Sequence, residues 1–188
     1  MKRCLVIVSL AILIFMGVSQ NPAFSQCLQD KTTTAQAFVN NFYRWFATTN
    51  GYTEFAKQRS CFTPEFAALL EKEQKGDSSD CESFLDYDPF AQTNGFSPQE
   101  TKAKVVGDEM VAGKTQVSVE LSYPDGKEIH RIKLELVKNP YWQISDLLEP
   151  VGKGTESRRL SEVLKSMSQE IDKCLKKKPS QGPAKPAK

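Results

Sequence analysis

The hydrophobic pattern of the chain changes its period once, near Thr101, and this change restricts the fold more than any other feature. Before it, apolar residues recur every three or four positions, which is typical of amphipathic helices. After it, apolar and polar residues alternate, as at Val117, Val119 and Leu121, which indicates half-buried strands. Helices followed by a run of strands predict an α+β domain with helices against one face of a curved antiparallel sheet.

Three helices are predicted around these strands. The first follows candidate N-cap threonines at 32–34 and runs to about Thr49. A Thr-Pro pair at 63–64 opens the second helix, which ends near Gly76. The C-terminal helix begins near Thr155. Its apolar stripe consists of Leu160, Val163, Leu164, Met167, Ile171 and Leu175.

The first predicted hairpin fixes the position of the only histidine. Asp125-Gly126 is a strong signal for a two-residue turn. That turn sets Val119 opposite Ile132, so that apolar residues share the one buried face of the sheet. The same register places His130 opposite Leu121, on the inward face.

The second predicted hairpin brings a carboxylate toward this histidine. It pairs Leu134 with Ile144 across a Lys-Asn-Pro turn. Asp146 then lies opposite Ile132 and diagonal to His130, roughly 7–8 Å away between backbones. Such a pair could act as a general acid and base. The alternative is that both groups only satisfy nearby backbone groups, since buried polar groups need partners.

The first 25 residues predict export. Lys2 and Arg3 precede a long apolar run, and Ala23 and Ser25 occupy the small-residue positions of a cleavage site. We therefore expect residues 1–25 to be a signal peptide, cut after Ser25, and the protein to be periplasmic or secreted. No transmembrane helix is expected after its removal. Residues 26–175 are then expected to form a single domain.

Charge is distributed unevenly along the rest of the chain. The body at 26–172 carries 17 basic and 23 acidic side chains, which argues against a nucleic-acid partner. Residues 176–188 are rich in Lys and Pro and are expected to be a disordered tail. The tail could simply aid solubility or could tether the protein near an anionic envelope surface.

Four cysteines remain after the predicted cleavage: Cys27, Cys61, Cys81 and Cys174. In an oxidising compartment, disulfide bonds are the default state of such a set. We expect Cys61–Cys81 and Cys27–Cys174 bonds, the second of which joins the ends of the domain. A zinc site is not expected, because the chain has no CxxC motif and one histidine. No cofactor or other metal is expected.

An acidic cluster in mid-chain has two interpretations. Asp86 and Asp88 flank Tyr87, immediately before Pro89. The spacing lacks the alternating oxygen ligands, the glycine and the distal glutamate of a calcium loop. We therefore predict that these residues form an Asx turn before the proline.

Three motifs resemble those of a known family. They are Phe38-x3-Phe42-Tyr43-x-Trp45 on the first helix, Asp86-Tyr87-Asp88-Pro89-Phe90 in mid-chain and Trp142-Gln143-Ile144-Ser145-Asp146 on the last long strand. Over residues 33–148 the chain resembles the bacterial exported domain-of-unknown-function family 3828, which is similar in turn to the nuclear transport factor 2-like cone. The resemblance implies a curved sheet with a concave face. The family has no assigned activity, so the resemblance implies no catalytic residues.

The sequence favours a non-catalytic binding module that uses the concave sheet face. Its partner would be a small apolar ligand, a peptide or a protein, and the candidate lining residues are Tyr43, His130, Trp142 and Asp146. An alternative is an enzyme of the dehydratase or isomerase type with a His130–Asp146 pair. Another is an inhibitor or immunity-type interaction module, which needs a filled cone and an exposed apolar or acidic patch elsewhere.

Overall fold

A computed structural model describes residues 33–78, 85–126, 129–151 and 156–177. Its elements in chain order are α1 (Ala35–Phe46), a 3₁₀ segment (Tyr52–Cys61), α2 (Pro64–Ser78), β1 (Lys102–Val111), β2 (Lys114–Ser122), β3 (Ile129–Lys138), β4 (Trp142–Pro150), β5 (Ser157–Arg159) and α3 (Leu160–Lys177). The predicted α+β class is confirmed. The predicted signal peptide at 1–25 lies outside these ranges. α3 includes the first two residues of the predicted tail, and the rest of the tail lies outside.

Local signals explain where the helices begin. Thr34 is the N-cap of α1 and accepts a hydrogen bond from Ala37 N at 3.2 Å, as the threonine run predicts. The Thr63 hydroxyl likewise accepts from Phe66 N at 3.3 Å at the start of α2. α3 begins at Leu160, five residues later than predicted. The short strand β5 occupies the residues directly before it.

The five strands form an antiparallel meander in the order β1-β2-β3-β4-β5. The first predicted register is confirmed, because Val119 pairs with Ile132 and Leu121 with His130. β1 and β2 meet at a turn in which Ala112 and Gly113 have positive φ. β1 also contains a bulge, since Val105 pairs with Val119 and Gly107 with Ser118, leaving Val106 as an extra residue.

The second predicted register is wrong for two reasons. The three-residue turn lies one position later than predicted, at 139–141, and pairs Lys138 with Trp142, so Ile144 lies opposite Leu136 rather than Leu134. A second bulge then inserts Ser145 as an extra residue. Beyond the bulge Leu147 pairs with Leu134 and enters the core, while Asp146 pairs with Glu135 on the opposite face of the sheet.

Aromatic side chains fill the inner face of the sheet. Phe42 of α1 is 2% exposed and its ring lies at the centre of an aromatic cluster. Five rings have centroids 5.3–6.0 Å from it: Tyr43, Trp45, Phe46, Phe62 and Phe90. These rings pack on the inward residues of β2 and β3, such as Val119 and Leu134, which are fully buried. The inner face of the sheet, which the sequence predicts as the ligand-binding face, is therefore occupied by the chain's own core.

α2 and α3 pack side by side and run in the same direction. Their N-terminal turns, at Glu65 and Glu162, line one cleft. Further along, Lys72 Nζ lies 2.7 Å from Asp172 Oδ2. Gly76 packs so closely on Ile171 that an added Cβ would lie 3.3 Å from that side chain.

This packing bears on the predicted disulfides. Cys61 and Cys174 are both disulfide-bonded, and Cys27 and Cys81 lie outside the described residues. Cys61 precedes α2, whereas Ile171, three residues before Cys174, packs on Gly76, about 18 Å further along α2 than Pro64. That is too far for a bond between Cys61 and Cys174.

The predicted Cys61–Cys81 and Cys27–Cys174 connectivity therefore stays a prediction, since one cysteine of each pair lies outside the described residues. Peptide mapping of the unreduced protein tests it. Peptide pairs joining Cys61 to Cys81 and Cys27 to Cys174 are expected, and a pair joining Cys81 to Cys174 would contradict the prediction.

Candidate functional site

The structure does not bring His130 and Asp146 together. Asp146 pairs with Glu135, five residues along β3 from His130, which is about 17 Å of strand. The two side chains also lie on opposite faces, because the bulge at Ser145 changes the phase of β4. His130 instead contacts Tyr123, whose ring is edge-on at 5.6 Å. The predicted diagonal pair is therefore wrong.

The two aromatic candidates contact their own chain. Tyr43 is 7% exposed and donates a hydrogen bond to Phe90 O at 3.3 Å. Burial, followed by the charge of Asp88, raises the pKa of Tyr43 well above its ordinary value. Trp142 donates from Nε1 to Thr33 O at 2.7 Å, and Lys138 Nζ lies 5.1 Å from the centre of its ring. Both residues thus stabilise α1 and the second hairpin.

Asp146 lies at the N-terminus of α3 and accepts four hydrogen bonds. Ser161 donates from its backbone N at 3.0 Å and from its hydroxyl at 2.7 Å. Leu147 N donates at 2.9 Å, and the Arg159 guanidinium donates at 3.0 Å. The Asp146 carboxylate of β4 therefore accepts hydrogen bonds from the first turn of α3, as the side chain of an N-cap residue would. Its negative charge also complements the positive end of the helix dipole.

Glu135 is the second buried carboxylate of this cluster, with 1% of its surface exposed. Arg159 donates to both of its oxygens at 2.8 and 3.1 Å, and Lys114 Nζ lies 2.6 Å away. Burial alone would raise the pKa of Glu135, but the hydrogen bonds and charges of Arg159 and Lys114 lower it to about 2. Hydrogen bonds to Glu135 and Asp146, together with their charges, raise the pKa of Arg159. Glu135 therefore carries a fixed negative charge near neutral pH.

Asp146, Arg159 and Lys114 line a cleft of about 380 Å³ between α2, α3 and the sheet, and Glu135 is connected to it through Arg159 and Lys114. The floor consists of Ser145, Asp146, Arg159 and Ser161. Phe66 and Leu69 of α2 supply an apolar wall. The rim carries charges of both signs, from Glu65, Glu162, Lys114 and Lys165.

A second buried carboxylate cluster ties the 85–101 loop to the sheet. Glu149 is 2% exposed and accepts from Tyr87 Oη at 2.6 Å, from Gln92 Nε2 at 3.0 Å and from Arg158 Nε at 2.9 Å. Burial and the neighbouring Glu149 raise the pKa of Tyr87, so the phenol stays protonated. Arg158 also donates to Tyr87 Oη at 3.1 Å, which closes the network.

The predicted Asx turn is confirmed. The Asp88 carboxylate accepts hydrogen bonds from Phe90 N at 2.9 Å and from Ala91 N at 3.2 Å, the two residues that follow Pro89. Asp88 also lies against Gly51, which has φ of +101° and whose missing Cβ would come within 2.8 Å of the carboxylate. Among the residues that the structure describes, no group of three His, Cys, Asp or Glu side chains could hold a metal ion.

Sequence reasoning missed Glu135, Lys114, Arg159 and Ser161. Glu135 occupies an outward position in the alternating pattern of β3, which indicates a solvated residue. Its burial depends on Arg159, 24 residues away, and on the placement of α3. The adjacent arginines Arg158 and Arg159 are only a weak sequence signal for this site. In the structure, Arg158 binds the buried carboxylate of Glu149 and Arg159 binds that of Glu135.

Comparisons with protein-family models, with curated proteins and with solved structures give no match to this chain. None of the helices in the described ranges combines the length and the apolar content that a membrane crossing needs.

Proposed function

We propose that the protein is an exported, non-catalytic binding module and that its ligand occupies the cleft between α2, α3 and the sheet. The observation that carries this proposal is the cleft itself, with an apolar wall at Phe66 and Leu69 above a floor of fixed charges. The inner face of the sheet, where the sequence places the ligand, is filled by Phe42 and its neighbours. Export is supported by the leader sequence.

The chemistry of the floor favours recognition over proton transfer. A general acid or base works best when its pKa is near the operating pH. The pKa of Glu135 is about 2, and Asp146 already accepts four hydrogen bonds. Held in this way, the two carboxylates orient Arg159 and the first turn of α3 toward the cleft and give it a constant electrostatic pattern.

The rim indicates the class of ligand. Glu65 and Glu162 stand at the N-termini of neighbouring helices, while Lys114 is 44% exposed and Lys165 is exposed. A peptide segment with one apolar side chain and flanking charges of both signs would complement this arrangement. We therefore propose a peptide or a protein loop as the ligand. A filled sheet face with an exposed charged cleft also agrees with an inhibitor or immunity-type interaction module.

We further propose that the fold is of the nuclear transport factor 2-like cone type, as in family 3828. The order of helices followed by a meander supports this proposal. So do the bulges at Val106 and Ser145, because bulges bend strands and curve a sheet.

A titration followed by NMR tests the proposed cleft. N-acetylated, C-amidated Lys-Leu-Glu and Glu-Leu-Lys are the probes, and Ala-Ala-Ala with the same end groups is the reference peptide. We expect a charged probe to shift the backbone amide signals of Leu69, Ser161 and Lys165 and to bind at least about tenfold more weakly to Leu69→Glu, which places a charge on the apolar wall. His130→Gln is the control and should bind as the original protein does. Shifts confined to His130 and Trp142, or none with either charged probe, would contradict the proposal.

A further inference from the structure

β1 presents an open edge of ten residues. It is the first strand in the sheet order, and in the described part of the chain it pairs with β2 alone. None of the loop hydrogen bonds between described residues reaches the outer edge of β1. Among the described residues, its outward backbone N–H and C=O groups therefore have no strand partner, which is the property of an edge that another strand can pair with. Val106 and Met110, with 46% and 70% of their surface exposed, lie on this strand.

The charges of β1 are ordered along the strand. Lys102 and Lys104 lie in its first half, and Asp108 and Glu109 lie in its second half. All four side chains are exposed. A strand with this order is complementary to a second copy of itself that runs in the opposite direction.

The bulge brings the complementary charges onto one face. Lys104 pairs with Glu120 and Glu109 with Gln116, so both side chains lie on the face opposite the core residues of β2. Residues five apart in a regular strand would lie on opposite faces, but the extra residue Val106 restores their phase.

We propose that two copies of this chain associate through β1 in an antiparallel pair that continues the sheet from one protomer to the other. In the register that keeps both faces in phase, Lys104 of each copy lies opposite Glu109 of the other, which makes two symmetric ion pairs. The same register sets Ala103 opposite Met110 and covers the exposed Met110 side chain. A two-fold interface requires such a self-complementary surface.

A second copy fits this edge better than an arbitrary strand. Lysines and bulges on an edge normally prevent unspecific pairing, because a foreign strand meets unpaired charges and a broken ladder. The β1 strand of a second copy, running in the opposite direction, brings its own bulge close to the two-fold axis. It also presents its charges in the opposite order, so neither obstacle arises. Glu109 now contacts Lys133 Nζ at 2.6 Å, but both side chains are about half exposed, so this ion pair can yield to a new partner.

Sedimentation equilibrium of the purified chain at low salt, from about 5 µM to about 1 mM, tests the proposal. We expect a monomer–dimer equilibrium that Lys104→Glu and Glu109→Lys each weaken by about tenfold, because each change opposes like charges at two symmetric sites. The double variant Lys104→Glu/Glu109→Lys should restore the affinity to within about threefold of the original. Lys173→Glu, the same change of charge on the exposed side of α3, is the matched control and should leave the equilibrium unchanged.

Amide hydrogen exchange provides a second measurement on the same samples. Protection of backbone amides in Lys102–Val111 should increase with protein concentration in the original chain and in the double variant, and should increase less in either single variant. A protein that stays monomeric over the whole range would overturn the proposal. So would single variants that associate as tightly as the original, or a double variant no better than the single ones.

Discussion

Replacing Arg159 with methionine should lower the free energy of unfolding by about 3 kcal/mol. The change leaves Glu135 buried with Lys114 as its only remaining charged partner and removes one of the four donors to Asp146. Breaking a buried ion pair from one side is costly because the other charge stays in a poorly solvated site. Urea denaturation at pH 7 measures the loss.

Arg131→Met is the matched control for this prediction. Arg131 also binds a glutamate, Glu120, at 2.8 Å across two strands, but its side chain is 77% exposed. Exposed ion pairs contribute at most about 1 kcal/mol. Equal losses for the two variants would show that the Glu135–Arg159 contact is no more valuable than a surface pair, contrary to the prediction.

The effect of Arg159→Met should also depend on pH. The folded-state pKa of Glu135, about 2, lies below its ordinary value of 4.5. Its contribution to stability is therefore complete above pH 4.5 and is lost as the pH falls through about 2. The difference in stability between the original chain and Arg159→Met should shrink over that window. A difference that is constant from pH 7 to pH 2 would assign the loss to packing instead.

Replacing Phe42 with alanine should cost about 3–5 kcal/mol, the largest effect we expect of any single side chain in the core. Phe42 contacts five other rings and lies where α1 meets the sheet. Its removal leaves a cavity that neighbouring rings, held by their own contacts, fill only in part. Urea denaturation monitored by far-UV circular dichroism measures the change.

Phe96→Ala is the control for this second prediction, because it deletes the same group from a site at the margin of the core. Phe96 is only partly buried and stacks on Tyr123 at 5.2 Å. Its truncation should cost about 1–2 kcal/mol. If both variants lose the same stability, the cluster around Phe42 is not the centre of the core.

Several elements of the fold could be predicted because their signals are local. The Thr34 cap, the Thr63-Pro64 helix start and the Asp125-Gly126 turn act through bonds within a few residues. The register of β2 against β3 then follows from that turn and from the alternation of apolar residues. No distant contact is needed for these predictions. The structure has both helix starts where the sequence indicates, and at the hairpin Gly126 N donates to Tyr123 O at 3.0 Å, in a turn centred on Pro124 and Asp125.

The candidate site could not be predicted because it depends on two phase changes and on distant partners. The turn before Trp142 lies at 139–141 instead of 138–140, and the bulge at Ser145 follows it, so each moves Asp146 relative to β3. The bulge leaves no distinctive residue pattern, since serine is common in strands and turns alike. Glu135 and Arg159 meet only after α3 has docked, so their positions in the sequence indicate surface residues.

The two bulges also determine where the length of this chain can vary. In β1 and in β4, deletion of the bulged residue, Val106 or Ser145, would restore a regular ladder without exchanging the inner and outer faces. A one-codon deletion at a regular position would instead reverse every side chain beyond it, turning charged residues toward the phenylalanine cluster. Single-residue deletions among homologous sequences should therefore concentrate at these two points.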